Sequence, residues 1–154
     1  MRKKIIIIVF ILLIIIGIIL GTTILHLDSI KCKNSIKEDN YTISNNFKIY
    51  YKKNIVKKVI IEKEVKSKNN TILSYFIKSY EDEYKKYNKE YGGYKLSTKN
   101  SKNKKILIIE WNLEKVNYEK LKTGRNYLKD DIKNKTITVD GIYKILQISK
   151  KSCK

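Results

Sequence analysis

The most one-sided stretch of the hydrophobic pattern comes first. From Ile5 to Leu27 the chain runs 23 residues with no acidic or basic side chain except His26, and Arg2, Lys3 and Lys4 stand directly before it. A helix needs about 20 apolar residues to cross the hydrocarbon core of a bilayer, so the run predicts a spanning helix. The basic flank predicts that its start lies in the cytoplasm. Residues 1–27 are therefore expected to form a cytoplasmic start plus a transmembrane anchor, marked by Ile5, Phe10, Gly17, Gly21 and Leu27. Residues 28–40 read as a stalk or a first strand, and 41–154 as an extracytoplasmic domain. The rival reading is a cleaved secretory signal, whose apolar core is shorter, about 7–15 residues, and ends at small residues. Gly21-Thr22-Thr23 is the nearest approach to such a site.

Past the polar stretch "DSIKCKNSIKEDN" the period becomes two. Phe47, Ile49 and Tyr51 alternate with Lys48, Tyr50 and Lys52, and Val59, Ile61 and Val65 share one phase. This is the pattern of half-buried strands. Lys53-Asn54 between them predicts a tight turn, hence a hairpin over about Tyr41 to Lys66. The period then lengthens. Leu73, Phe76, Ile77, Tyr80, Tyr84, Tyr87 and Tyr91 recur at three- and four-residue steps and line one face of a helix. Asn69 or Asn70 is placed to cap its start, and Gly92-Gly93 to close it.

A second hairpin follows in "YKLSTKNSKNKKILIIEWNLEKV". Leu107, Ile109, Trp111 and Leu113 make one apolar face, while Ile106 and Ile108 lie on the other. A short capped turn is expected from Asn117 to Gly124, then a C-terminal helix with Ile142, Ile145, Leu146 and Ile148 inward. The sum is an α+β domain: an antiparallel β-sheet of two hairpins, with one long amphipathic helix and a short C-terminal helix packed on one face. The tyrosine stripe could stack on sugars or bases, but tyrosine also covers a sheet well while its hydroxyl reaches water, and the covering role is the expectation.

Charge changes the picture less than its size suggests. The net charge is +19, yet of 34 basic residues only Arg2 and Arg125 are arginine. Readers of phosphates and base edges favour arginine's bidentate fork, so no specific nucleic acid is expected; a basic nucleic-acid-binding protein is kept as an alternative. A domain this basic attracts anionic envelope polymers or lipid headgroups through its field alone. The chemistry of catalysis is sparse. His26 is the sole histidine and sits at the end of the apolar run, and two distant cysteines and one histidine do not make a zinc site. "YGGY" lacks the spacing of a phosphate loop. Paired carboxylates such as Glu62 with Glu64 on one strand face, or Asp130 with Asp131, read as solvated charges. The expectation is no catalytic residue, no metal and no cofactor. A pilin-like architecture would require an acidic residue early in the apolar helix, and none occurs there.

The two cysteines, Cys32 and Cys153, bracket nearly all of the outer region at a separation of 121 residues. Outside the membrane disulfides persist, so a disulfide between them is expected, with two free thiols as the alternative. Closing a loop of about 100 residues stabilises by about 4.7 kcal/mol in the chain-entropy model.

The succession "NFKIYYKKNIVKKVIIEKEV", "YFIKSYEDEYKKYNKEYGGYKL" and "KILIIEWNLEKVNYEKLK" resembles the YehR-type family of small bacterial lipoproteins. The shared features are a Y-x-x-x-x-V-x-K hairpin at Tyr51 to Lys58, Gly92-Gly93-Tyr94 closing an aromatic helix, and "NLEKVNYEKL" from Asn112 to Leu121. The likeness spans about residues 47–122. It implies a small α+β domain held at the outer face of a membrane and carries no settled biochemical function. The lipobox cysteine is absent, and a spanning helix stands in place of the lipid. The function expected is thus a membrane-anchored, non-enzymatic binding or envelope-associated module. Its partners would be the lipid bilayer, anionic envelope polymers and a membrane protein. The G-x-x-x-G spacing of Gly17 and Gly21 permits close helix contact, which makes an accessory subunit of a larger membrane complex the main variant.

Overall fold

The computed structural model describes residues 27–154. The expected spanning helix, with Ile5, Phe10, Gly17 and Gly21, lies outside the described residues, and Leu27 is the residue that leads into the first strand. Among the described residues no helix is long and apolar enough to cross a membrane.

Alternating side chains build a five-stranded antiparallel sheet: β1 (Asp28–Lys37), β2 (Thr42–Lys52), β3 (Ile55–Lys66), β4 (Tyr94–Ser101) and β5 (Lys104–Asn112), in the order β1-β2-β3-β5-β4. The long amphipathic helix α1 (Asn70–Tyr91) links β3 to β4. Two shorter helices follow, α2 (Tyr118–Gly124) and α3 (Val139–Leu146), with a small hairpin, β6 (Ile132–Lys133) and β7 (Thr136–Ile137), between them. The α+β class, the two hairpins and the long helix agree with the pattern. The polar stretch left open as stalk or strand is the strand β1, paired along its whole length with β2.

The turn Lys53-Asn54 has both residues at positive φ, 49° and 65°, the conformation that matches the right-handed twist of a two-residue hairpin. Near it a bulge sets Tyr50 opposite Lys58 and Tyr51 opposite Val56, leaving Lys57 unpaired. The extra residue brings both Val56 and Val59 inward, and both are buried. Asn69 caps α1, its side-chain oxygen accepting from the amides of Thr71 and Ile72, and Gly92 and Gly93 close it at φ of 76° and 86°.

All the deeply buried sheet residues share one face. Ile49, Val59 and Trp111 form one cross-strand row, and Phe47, Ile61 and Ile109 the next. They join Leu73, Ile77, Tyr84 and Tyr91 of α1, Leu121 of α2 and Ile142 of α3 in a single core. Helix α1 is pinned over the β5–β4 half by Lys105 Nζ donating to Ser74 Oγ (2.9 Å) and Thr98 Oγ1 donating to Glu81 Oε1 (2.8 Å). Tyr94 stacks flat on Trp111 at 4.9 Å, while the Trp111 indole N–H meets no acceptor among the described residues. Across the sheet, Lys48, Ile60, Glu62, Glu64, Ile106, Ile108 and Glu110 stay half-buried or exposed; that face is open.

Candidate functional site

Two features concentrate what chemistry the domain has, and both lie toward β1. The first is the disulfide. Cys32, on the inward phase of β1 and opposite Phe47, is joined to Cys153 with their Cα atoms 4.0 Å apart. The tail that carries Cys153 runs as a short antiparallel partner on the free edge of β1. Lys31 N–H donates to Lys154 O (2.9 Å), and Lys154 N–H donates to Lys31 O (2.8 Å). A 3-10 turn, Lys150–Ser152, precedes it and is capped by Ser149. Lys150 Nζ reaches Asp140 Oδ1 of α3 at 2.8 Å. The expected disulfide is therefore present. Its C-terminal partner follows this turn and is not part of the last helix, which ends at Leu146 with Gln147 in the left-handed region. Beside the disulfide lies a cleft of about 530 Å³ where Lys31, Lys33, Lys48 and Lys154 surround Ile60, with Glu62 as the one acid among its lining residues.

The second feature is a polar row on the otherwise apolar inner face. Asn34 of β1, Asn45 of β2 and Lys63 of β3 stand opposite one another. Asn45 Nδ2 donates to Asn34 Oδ1 (2.8 Å), and Lys63 Nζ donates to Asn45 Oδ1 (3.2 Å). The ammonium sits 4.3 Å over the Tyr80 ring and 5.9 Å from that of Tyr84. Burial lowers its pKa, and Glu83 acts in the opposite sense through space. Among the described residues Lys63 makes no ion pair. Around it the Tyr41 and Phe76 rings meet at 4.9 Å, Phe76 and Tyr80 at 6.3 Å, and Tyr75 lies edge-on to Phe76 at 5.5 Å. Burial, with Glu83 and Tyr41 adding to it, raises the pKa of the Tyr80 phenol, so it stays a neutral donor.

The helix covers the β3–β5–β4 part of the inner face and the C-terminal segment reaches β1 near Cys32. The corner that holds Asn34 and Ile36 is left open, and Ile36 is 56 % exposed. A larger cleft, about 980 Å³, opens at the far end of the sheet between the β1–β2 loop, the start of α1 and the β4–β5 turn. There Ser67 Oγ donates to Asn40 O (2.7 Å) and accepts from Asn69 N–H.

Most of the tyrosine stripe is structural, as expected. Tyr84, Tyr87, Tyr91 and Tyr94 pack on one another, and the Arg125 guanidinium caps the Tyr87 and Tyr91 rings at 5.6 and 5.9 Å. Tyr118 donates to Leu113 O at 2.9 Å, and burial pushes its pKa up to about 12. The paired carboxylates do not converge. Glu62 lies exposed on the open face, and Glu64 is held by Lys66 (2.9 Å) and Lys104 (3.3 Å). Asp131 takes Lys144 at 2.6 Å while Asp130 faces solvent. Among the described residues no group of three or more metal-ligating side chains comes together. The pattern had missed Lys63, although it carried a signal: Val59, Ile61 and Val65 share the inward phase, and Lys63 is the polar residue that interrupts it.

No family model and no curated protein matches the chain. Among solved structures, the NMR structure of the E. coli YehR protein is similar over 79% of this chain and 86% of that one, at TM-score 0.50 and 17% identity. The NMR structure of a protein from Streptococcus pneumoniae TIGR4 covers 84% of each chain at TM-score 0.47 and 13% identity. At 17% identity the likeness to YehR concerns the fold. The residues that carried the resemblance lie in the β2–β3 hairpin, at the close of α1 and in the segment from the end of β5 into α2, and the chain has a YehR-like fold.

Proposed function

We propose that this chain is a membrane-anchored extracytoplasmic domain that acts by binding rather than by catalysis. The observation that carries the reading is the Cys32–Cys153 disulfide, because such bonds persist in oxidising compartments and are rare in the cytosol. The apolar run from Ile5 to Leu27, with Arg2, Lys3 and Lys4 before it, supplies the anchor and its orientation. Binding is favoured over catalysis because Glu64 and Asp131, one from each carboxylate pair, are engaged by lysines, while Lys31, Lys33, Lys48 and Lys154 line the cleft beside the disulfide with Glu62 as its one acid. The lipid bilayer and an anionic envelope polymer are the partners this basic surface fits. Protease added to intact cells, or to spheroplasts where a wall intervenes, tests the topology. The domain should be digested from outside and should migrate differently on gels with and without reductant. Full protection, with two titratable thiols after denaturation without reductant, overturns the reading.

The variant in which the apolar run pairs with another membrane protein rests on Gly17 and Gly21. Replacing both with isoleucine should then strip partners from the detergent-solubilised protein; an unchanged set of co-purifying proteins rejects this variant alone.

A further inference from the structure

A lysine seldom enters a protein interior without an acid to meet it, since desolvating an unpaired cation is costly and buried charges are normally paired. Lys63 makes no ion pair among the described residues, and Glu83 acts on it only through space. Its ammonium lies on the core side of the sheet between Ile61 and Val65, and its nearest engagements are a carboxamide oxygen at 3.2 Å and a tyrosine ring at 4.3 Å. It has three N–H donors, and one is used in the hydrogen bond to Asn45. The donors that remain stand beside an open corner of the inner face.

What surrounds that corner is chemically specific. On one side the Asn34 carboxamide, exposed on β1, accepts from Asn45, so its own two N–H groups stay available. On the other side the aromatic residues Tyr41, Phe76 and Tyr80 form a wall, extended by Tyr75, which is 68 % exposed. Ile36 supplies apolar floor. Amide donors and a phenol hydroxyl suit a ligand rich in hydroxyls, aromatic rings suit the apolar face of a pyranose, and an unpaired ammonium calls for an anion.

We propose that this corner is a binding site for an acidic saccharide, a sugar bearing a carboxylate. The carboxylate meets Lys63, the ring lies against the Tyr80–Phe76 wall, and the hydroxyls take the Asn34 amide. The open side at β1 admits a chain of such sugars, so an internal unit of a polymer fits as well as a free one. The proposal names the ligand class for the binding reading above and rests on that reading. Its failure is separable, because protease accessibility reports the compartment without any ligand.

The test uses the full chain in nanodiscs of neutral lipid, with trigalacturonic acid as probe and its methyl ester as the uncharged twin. Saturable binding to the acid is expected, with amide shifts clustered at Asn34, Asn45, Lys63 and Tyr80, and at least tenfold weaker binding of the ester. Lys63→Met keeps the apolar stem and removes the charge; it should weaken the acid tenfold or more and erase the preference over the ester. Asn34→Ala, on an exposed strand position, should weaken binding several-fold with an unchanged thermal midpoint and serves even if Lys63→Met perturbs folding. Lys120→Met, exposed on α2, should leave affinity unaltered. Absence of saturable binding, equal affinity for acid and ester, or shifts centred on Lys31, Lys33 and Lys48 instead would each overturn the proposal.

Discussion

The two edges of the sheet are held in opposite ways. The β4 edge is secured by neighbours close in sequence. A two-residue turn joins it to β5, α1 leads into it through Gly92-Gly93, and Thr98 donates to Glu81 of the same helix. The β1 edge is secured from the other end of the chain. Apart from buried Cys32 and half-buried Ile30 the residues of β1 are exposed, and the Lys31–Lys154 hydrogen bonds and the Cys32–Cys153 disulfide join positions 121 residues apart. Edge strands with free N–H and C=O groups invite unwanted pairing. One edge is thus guarded by local topology and the other by a covalent bond, and the second guard depends on redox chemistry.

Breaking the covalent guard should have the largest effect. Replacing both cysteines with serine should lower stability by up to about 4.7 kcal/mol, the chain-entropy figure for a loop of about 100 residues. Urea unfolding reads the total, and hydrogen exchange should show the amides of β1 opening first while those of β4 keep their protection. Equal loss of protection at both edges would mean that the two are not separately held.

The local guard is broken at Gly93. Its φ is +86°, and a Cβ there would lie 2.5 Å from Asn112 O, so Gly93→Ala must shift backbone at the entry to β4. A cost of roughly 1–3 kcal/mol is expected from the strained conformation alone, with protection lost at β4 and retained at β1. Asn69→Ala removes the cap of the helix that secures the same edge, and about 1 kcal/mol is expected in thermal or urea unfolding.

The smallest effect comes from the centre of the sheet. Burial works against ionisation of Glu64, but hydrogen bonds from Lys66 and Lys104 outweigh it and hold the carboxyl below its usual pKa. A depressed folded pKa gives stability that is present above the unfolded value and lost as pH falls through the folded one. Glu64→Gln should therefore be slightly less stable than the parent at neutral pH, by no more than about 1 kcal/mol for so exposed a network. The difference should vanish in acid. It should also be the same with and without the disulfide.

The sequence made the β4 side readable because its determinants are local. Three-four spacing marks α1, alternation marks β5, and Asn69 and Gly92-Gly93 punctuate the helix. The same holds for the Lys53-Asn54 hairpin. On the β1 side the signals were ambiguous. "DSIKCKNSIK" offers only Ile30, Cys32 and Ile36 to the inner phase, because an edge strand with a partly open face has little to bury. Its identity as a strand comes from pairing with β2, a tertiary fact. Cys32 and Cys153 could be matched because there were only two. The polar row could not be read as a unit: Lys63 interrupts an inward phase, but Asn34 and Asn45 look like ordinary surface residues, and only the register of three strands sets them side by side.

The position of Cys32 within β1 has a mechanical consequence. Asp28 is the first residue of the sheet, so any tension on the chain from its N-terminal side enters at the head of an edge strand. Peeling β1 away from β2 would part Asp28 from Tyr51, Ser29 from Tyr50, Ile30 from Ile49 and Lys31 from Lys48, and then meet Cys32. There the load passes through sulfur to Cys153 and along the backbone into buried Ile148 and α3. The oxidised domain would lengthen by only about 14 Å, four residues at roughly 3.5 Å each, before the pull is borne by the whole body, whereas the reduced one would go on unzipping.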